Sequence, residues 1–164
     1  MRAVTDAGPL IHLSWVDRLD LLNALFEEVL VPASVRDEVL EAGRGSLGLD
    51  RLEAAFAAGR WRVERARERD AVRLAGSTSL DAGETAALHL LAGTPSSVFL
   101  TDDTLAPAEA ERRQIPVIGT VGIIVRARSE GIIREALPVV LELRRLGQWM
   151  SDSLVQFVRE LEGG

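Results

Sequence analysis

Ser97-Val98-Phe99-Leu100-Thr101-Asp102-Asp103 is the stretch whose reading decides the fold. Its apolar run reads as a buried strand, and the run ends in two adjacent aspartates. A second apolar run, Ala3-Val4-Thr5, ends the same way, in Asp6. Open α/β sheets keep their ligand crevice just beyond the carboxyl ends of their strands. Acids at both strand ends therefore point to a site on one edge of a sheet.

Outward from these two runs, strands alternate with helices. Strands are expected at Ala3–Thr5, Val29–Val31, Val98–Thr101 and Pro116–Ile118, with a further candidate at Arg60–Val63. Helices are expected at Pro9–Ser14, Leu19–Phe26, Ala33–Ala42, Asp50–Ala58, Asp81–Ala92, Thr104–Arg113 and Val121–Glu130. Pro32 suits a helix start and Gly59 a helix end. Ala136–Leu146 and Ser151–Leu161 form a helical tail. Such alternation predicts an α/β fold, a parallel sheet of four to five short strands flanked by helices. We read residues 1–164 as one domain, with a variable middle segment over 43–79 and a C-terminal helical tail over 133–164.

The chain has 164 residues, enough to bury a sizeable core. It is 47% hydrophobic and 27% charged, the balance of a folded chain. Aromatics are scarce, so the core must be Leu, Val, Ile and Ala. The net charge of −6 speaks against a generic nucleic-acid binder but allows a local basic stripe. There is no Cys, which removes disulfides, thiolate nucleophiles and thiolate zinc sites. All 19 basic residues are Arg, which excludes any mechanism that needs a Lys. Polar Thr5-Asp6 arrives too early for a signal peptide, and no apolar run reaches the roughly 18 residues of a membrane span. The expected setting is the cytoplasm, with no membrane partner.

Four acidic positions stand out, each with a plainer reading beside it. Asp6 reads equally as a site acid and as a turn or cap residue before Pro9. Glu38 lies on the edge of the Val35/Val39/Ala42 stripe, where a boundary residue with its head in water is the simpler reading. Glu84 follows Asp81 by three, which fits a variant capping box, yet it shares a face with Leu88 and Leu91. Asp102 and Asp103 precede a helix that holds Pro107 in its first turn. A cap near Asp103 or Thr104 occupies at most one of the two.

In a parallel sheet these acids share one edge. Two carboxylates about 4 Å apart repel by about 4 kcal/mol at an effective dielectric near 20. Such a cluster needs protons, Arg partners or a cation. Hard oxygen ligands without Cys suit Mg²⁺ or Mn²⁺. Mg²⁺ held by a few carboxylates suits metal-assisted phosphodiester hydrolysis.

Other motifs fail on context. Gly43-Arg44-Gly45-Ser46-Leu47-Gly48 spells GxGxxG but follows a helix rather than a strand. A P-loop and a phosphoacceptor receiver both need Lys. A dehalogenase-type phosphatase needs a second Asp where Gly8 stands. Paired-His catalysis would need His12 and His89, and His12, among Leu10, Ile11 and Leu13, reads as a half-buried structural residue. Arg60, Arg62, Arg65, Arg67, Arg69 and Arg73 interleave with Glu64, Glu68 and Asp70, which reads as a self-paired surface. RNA contact there is the sharper alternative.

With these residues assembled, the chain resembles PIN-domain proteins, and more narrowly the short prokaryotic branch related to VapC toxins. Val4 to Leu13 resembles the opening strand and turn. Arg18-Leu19-Asp20-Leu21-Leu22, Val29 to Pro32 and Val35 to Val39 continue the likeness. Leu80 to Ala87 resembles the third-acid helix. Thr101-Asp102-Asp103, Ile118 to Gly122, and the tail from Leu141 through Gly147-Gln148-Trp149-Met150-Ser151 resemble the closing half.

The resemblance implies a Mg²⁺- or Mn²⁺-dependent endoribonuclease acting on RNA, the toxin of a toxin–antitoxin pair. It implies catalytic Asp6, Glu38, Glu84 and Asp103, with Asp6, Glu84, Asp102 and Asp103 at the metal. Asp103 is preferred to Asp102 on the Thr-x-Asp spacing. Thr101, Arg60 and Arg62 are the expected substrate contacts. A cognate antitoxin and a homodimer are the implied partners. The chain departs from the pattern at Gly8, where relatives carry Ser or Thr, and at Ala106-Pro107, where they often carry Arg. A degenerate PIN domain serving as a binding or assembly module is the alternative.

Overall fold

The structure is a computed structural model. It describes residues 1–42, 45–65, 82–104 and 106–163, with side chains at all of these except 42, 82–85, 106, 107 and 109. Asp81, Arg67, Arg69 and Arg73 lie outside the described residues, as does most of the second half of the 43–79 segment.

Five parallel strands form one sheet: β1 (Arg2–Thr5), β2 (Glu28–Pro32), β3 (Arg62–Glu64), β4 (Ser97–Leu100) and β5 (Val117–Ile118). Their order is β3-β2-β1-β4-β5. The first strand made is the central one. Ala3 lies opposite Val29 on one side and Val98 on the other. The chain builds outward from β1 in one direction, then returns to build in the other. Between β1 and β4 the winding reverses, and open α/β sheets open a crevice at that point, at the carboxyl ends.

The strands are apolar on both faces because both faces are covered. Side chains alternate between two cores with the period of two that a strand imposes. Ala3, Val29, Val31, Val98 and Leu100 enter the larger core. Val4, Leu30 and Phe99 enter the smaller one. The helices are α1 (Ala7–Trp15), α2 (Asp20–Leu25), α3 (Ala33–Ala42), α4 (Leu49–Ala57), α5 (Ala82–Ala92), α6 (Ala106–Arg112), α7 (Thr120–Ser129), α8 (Leu137–Leu146) and α9 (Asp152–Gly163).

Helix α5 covers the smaller core with Ala87, Leu88 and Leu91. Val140 and Leu143 of α8 and Val155 and Val158 of α9 join the larger core, so the helical tail packs as part of the body. No helix among the described residues is long and apolar enough to cross a membrane.

Most element ends fall within two residues of expectation. The helix after Asp103 starts at Ala106, two residues beyond the expected Thr104. Gly48, the last glycine of the formal GxGxxG, starts α4 with φ 88°. A Cβ there would fall 2.3 Å from Ser14 Oγ. That glycine lets α4 close on α1.

Candidate functional site

The end of β1 delivers Asp6, whose backbone N–H donates to Leu100 C=O at 3.0 Å and so continues the pairing with β4. Asp6 is buried. Its Oδ1 accepts from Gly8 N–H at 3.1 Å, which caps α1. Its Oδ2 accepts from the hydroxyl of buried Thr101. Thr101 Oγ1 in turn accepts from Asp103 N–H at 3.1 Å. The cap role and the site position fall on the same aspartate, and one does not displace the other.

The end of β4 delivers Asp102, half-buried beside Gly8. A Cβ at Gly8 would lie 3.2 Å from Asp102 Cβ and 3.3 Å from its Oδ2. One at Gly119 would lie 3.1 Å from Asp102 Oδ1. The glycine at position 8 thus lets the first turn of α1 close on the Asp102 carboxylate. Asp102 Oδ1 accepts from Thr120 N–H at 2.7 Å. Its Oδ2 accepts from Thr120 Oγ1 at 2.5 Å and lies 2.6 Å from His12 Nδ1.

Burial alone pushes the Asp102 carboxyl up. The hydrogen bonds from His12, the Thr120 hydroxyl and the Thr120 N–H, with the charge of His12, outweigh it and hold the pKa below the ordinary carboxylate range. A carboxylate whose folded pKa is depressed stabilises the fold above its unfolded pKa, roughly 3.9. That contribution is lost as pH falls through the folded value. Chemical denaturation between pH 2 and 6 should therefore show wild-type stability falling more steeply with acid than that of Asp102→Asn. Equal slopes would remove Asp102 as the source.

The other expected residues are placed less closely. Asp103 is exposed, one residue beyond the cluster. Glu38 is exposed on the second turn of α3, past the sheet edge where that helix begins. Glu84 lies in the first turn of α5. That helix precedes parallel β4 by a short link, so its N-terminus lies toward the carboxyl edge; the Glu84 side chain is outside the described set.

Arg62 opens edge strand β3, two strands from β1 and in register with Leu30, and Arg60 precedes that strand by two residues. Arg62 bonds to Glu28 at 3.3 Å and to Glu64 at 2.5 Å, which is the self-paired surface their spacing suggested. The structure does not bring them to the site.

Two residues were missed. His12 is half-buried as expected but bonds to Asp102, and its ring meets Trp15 edge-on at 4.9 Å. The available signal was spacing: Gly8 and His12 are four apart on a helix that Asp6 caps, so they share the face that meets β4. Thr120 is fully buried at the start of α7, directly after β5. It had appeared only as one letter of a longer likeness.

The sequence profile of the PIN-domain family matches residues 2–163. The chain belongs to that family. PIN domains are generally nucleases, and this PIN domain has the fold class the resemblance implied, with its acids at the reversal of the winding. No curated protein matches it closely enough to name a relative.

The donors of this PIN domain are carboxylates and hydroxyls with no thiol, a set that suits a hard cation. Among the described residues, no three His, Asp or Glu side chains converge as a metal site.

Proposed function

We propose that the chain is a Mg²⁺- or Mn²⁺-dependent endoribonuclease of the VapC-like branch, the toxin of a toxin–antitoxin pair. The observation that carries the reading is that buried Asp6 and half-buried Asp102, at the carboxyl ends of adjacent strands β1 and β4, both lie against Gly8 where the winding reverses. Like charges in that crevice call for a compensating cation, and phosphodiester hydrolysis is what such a centre supports.

In this reading Asp6 and Asp102 hold the ion, with Glu84 contributing from α5 and Asp103 and Glu38 at the periphery. The ion, when bound, lowers the pKa of a water and stabilises charge on the phosphate. The chain's own residues do the rest. Thr101 and the α1 N-terminus fix the Asp6 carboxylate. His12 and Thr120 fix that of Asp102 and keep it ionised. The polar ends of α1 and α7 face the same crevice and favour an anionic phosphate. The toxin role, the cytoplasmic setting, the homodimer and the cognate antitoxin rest on the ordered set of motifs from Val4 to Ser151.

A second reading, a non-catalytic PIN module, is favoured by one observation. Asp102 already accepts three hydrogen bonds, which satisfy much of its charge without an ion. RNA cleavage with Mg²⁺ or Mn²⁺, and with EDTA, separates the readings. The nuclease reading expects activity that vanishes on chelation and returns with added metal. It also expects heat on calorimetric titration with Mn²⁺. Cleavage that survives EDTA sinks the metal mechanism, and no cleavage with no Mn²⁺ heat leaves the scaffold.

A further inference from the structure

The cavity beside Asp102 has a second wall of different chemistry. It encloses about 490 Å³ and is lined by His12, Asp102 and Gly119 on one side and by Gln148, Trp149 and Leu154 on another. Small-molecule pockets span roughly 300–1,000 Å³. Gly147 ends α8 with φ 113°, a left-handed turn that favours glycine. Gln148 N–H then donates to Leu143 C=O at 3.0 Å. The turn delivers Gln148-Trp149-Met150 onto the cavity.

Two observations on this wall are unexplained by packing. Trp149 is 82% exposed, although Gln148 and Met150 on either side are buried. Gln148 is only 8% exposed, yet its Oε1 has no hydrogen-bond partner. It is the one such buried side-chain atom among the described residues. Buried acceptors are nearly always satisfied, so an orphan asks for a donor. Gln148 lines the cavity, and the terminal torsion of an amide turns easily.

An exposed indole face beside an amide lacking its partner matches the two features of a nucleobase, a π-face and a hydrogen-bonding edge. We propose that Gln148 and Trp149 form a nucleobase subsite. It takes the unpaired base of an RNA nucleotide whose phosphate lies at Asp102. The proposal rests on the nuclease reading of the same crevice and adds to it the residues that grip a base. Trp149 stacks on the base and Gln148 Oε1 accepts from a base N–H. Continuity of this wall with Asp102 favours RNA over a protein partner.

The test measures anisotropy of 5′-labelled octamers of A, C and U ribonucleotides, and of an abasic octamer of the same length, with EDTA present so that nothing is cut. Wild type should bind at least one base-bearing octamer about 5- to 150-fold tighter than the abasic strand, the factor one stacked base supplies. Trp149→Ala should erase that ratio and Trp149→Phe keep most of it. Gln148→Met should change the ranking among bases while melting at or above the wild-type temperature, because it removes an unsatisfied acceptor.

A wild type blind to bases overturns the subsite, and so does a Trp149→Ala protein with the wild-type ratio. Loss of self-association in Trp149→Ala, measured by sedimentation, with RNA binding intact makes Trp149 a protein contact and also overturns it. Binding and cutting fail separately. Base-dependent binding without any cleavage keeps the subsite and removes the nuclease. Cleavage with unchanged KM and base preference in Trp149→Ala does the reverse.

Discussion

Asp6→Asn should lower metal-dependent RNA cleavage by at least about 100-fold, beyond the roughly 10–100-fold cost of losing an outer partner of a metal ligand. It should lower the melting temperature by only a few degrees, the cost of reversing the Thr101 hydrogen bond. Asp6 does two things at once: it caps α1 through Gly8 N–H, and it places a carboxylate at the crevice. Asn caps as well as Asp, and its amide oxygen can still accept from Gly8 N–H. The substitution therefore removes the charge and keeps the cap.

Asp6→Ala provides the contrast. It should lose activity equally and also lose about 1 kcal/mol of stability with the cap. Initial rates on a single-stranded RNA, beside thermal melts, check both. An Asp6→Asn protein that cleaves at the wild-type rate leaves Asp6 as a cap and nothing more.

The second large effect should divide the adjacent pair. Asp102→Asn should lose cleavage by a similar factor, whereas Asp103→Asn should stay within about 10-fold of wild type, below the range of even an outer partner at its upper end. Asp102 is held at both oxygens by His12 and Thr120, while Asp103 is exposed. Asp102→Ala should also destabilise the fold. It strips the Thr120 N–H, its hydroxyl and His12 of their shared acceptor, and a donor left unsatisfied costs about 1–3 kcal/mol. In a chain of this size each kcal/mol shifts the melting temperature by roughly 2–4 °C. The opposite ranking in rates would return the site to Asp103 and leave Asp102 as a structural anchor.

The spacing argument preferred Asp103, whereas the hydrogen bonds converge on Asp102. Thr-x-Asp spacing counts residues along the chain. What sets proximity is where β4 ends and how closely α1 and α7 approach. Leu100 is the last strand residue, Thr101 turns inward to Asp6, and Asp102 then meets Gly8, Gly119 and Thr120. None of those three glycine and threonine partners announces itself in a linear reading.

Strand identity and alternation were legible because Ala3-Val4 and Val98-Phe99-Leu100 are continuously apolar, as suits a strand covered on both faces. The shared edge for the acid ends was legible too, but the pairing of β1 with β4 was not, since every strand of a parallel sheet ends on that edge. His12 was legible as half-buried but not as an Asp102 partner, since the two are 90 residues apart. Arg62 was legible as part of a self-paired charged surface, but its cross-strand partner Glu28, 34 residues away, was not.

The strand order has a consequence for the timing of synthesis. β1 leaves the ribosome first, but one of its two neighbours, β4, is made only at Ser97–Leu100, and the Thr120 that grips Asp102 comes later still. At about 5–20 residues per second, roughly 6–23 s separate Asp6 from Thr120. During that interval the opening strand has its first acid but no crevice to share it with. A crevice assembled from residues this far apart in the chain stays incomplete until both halves of the sheet have been made.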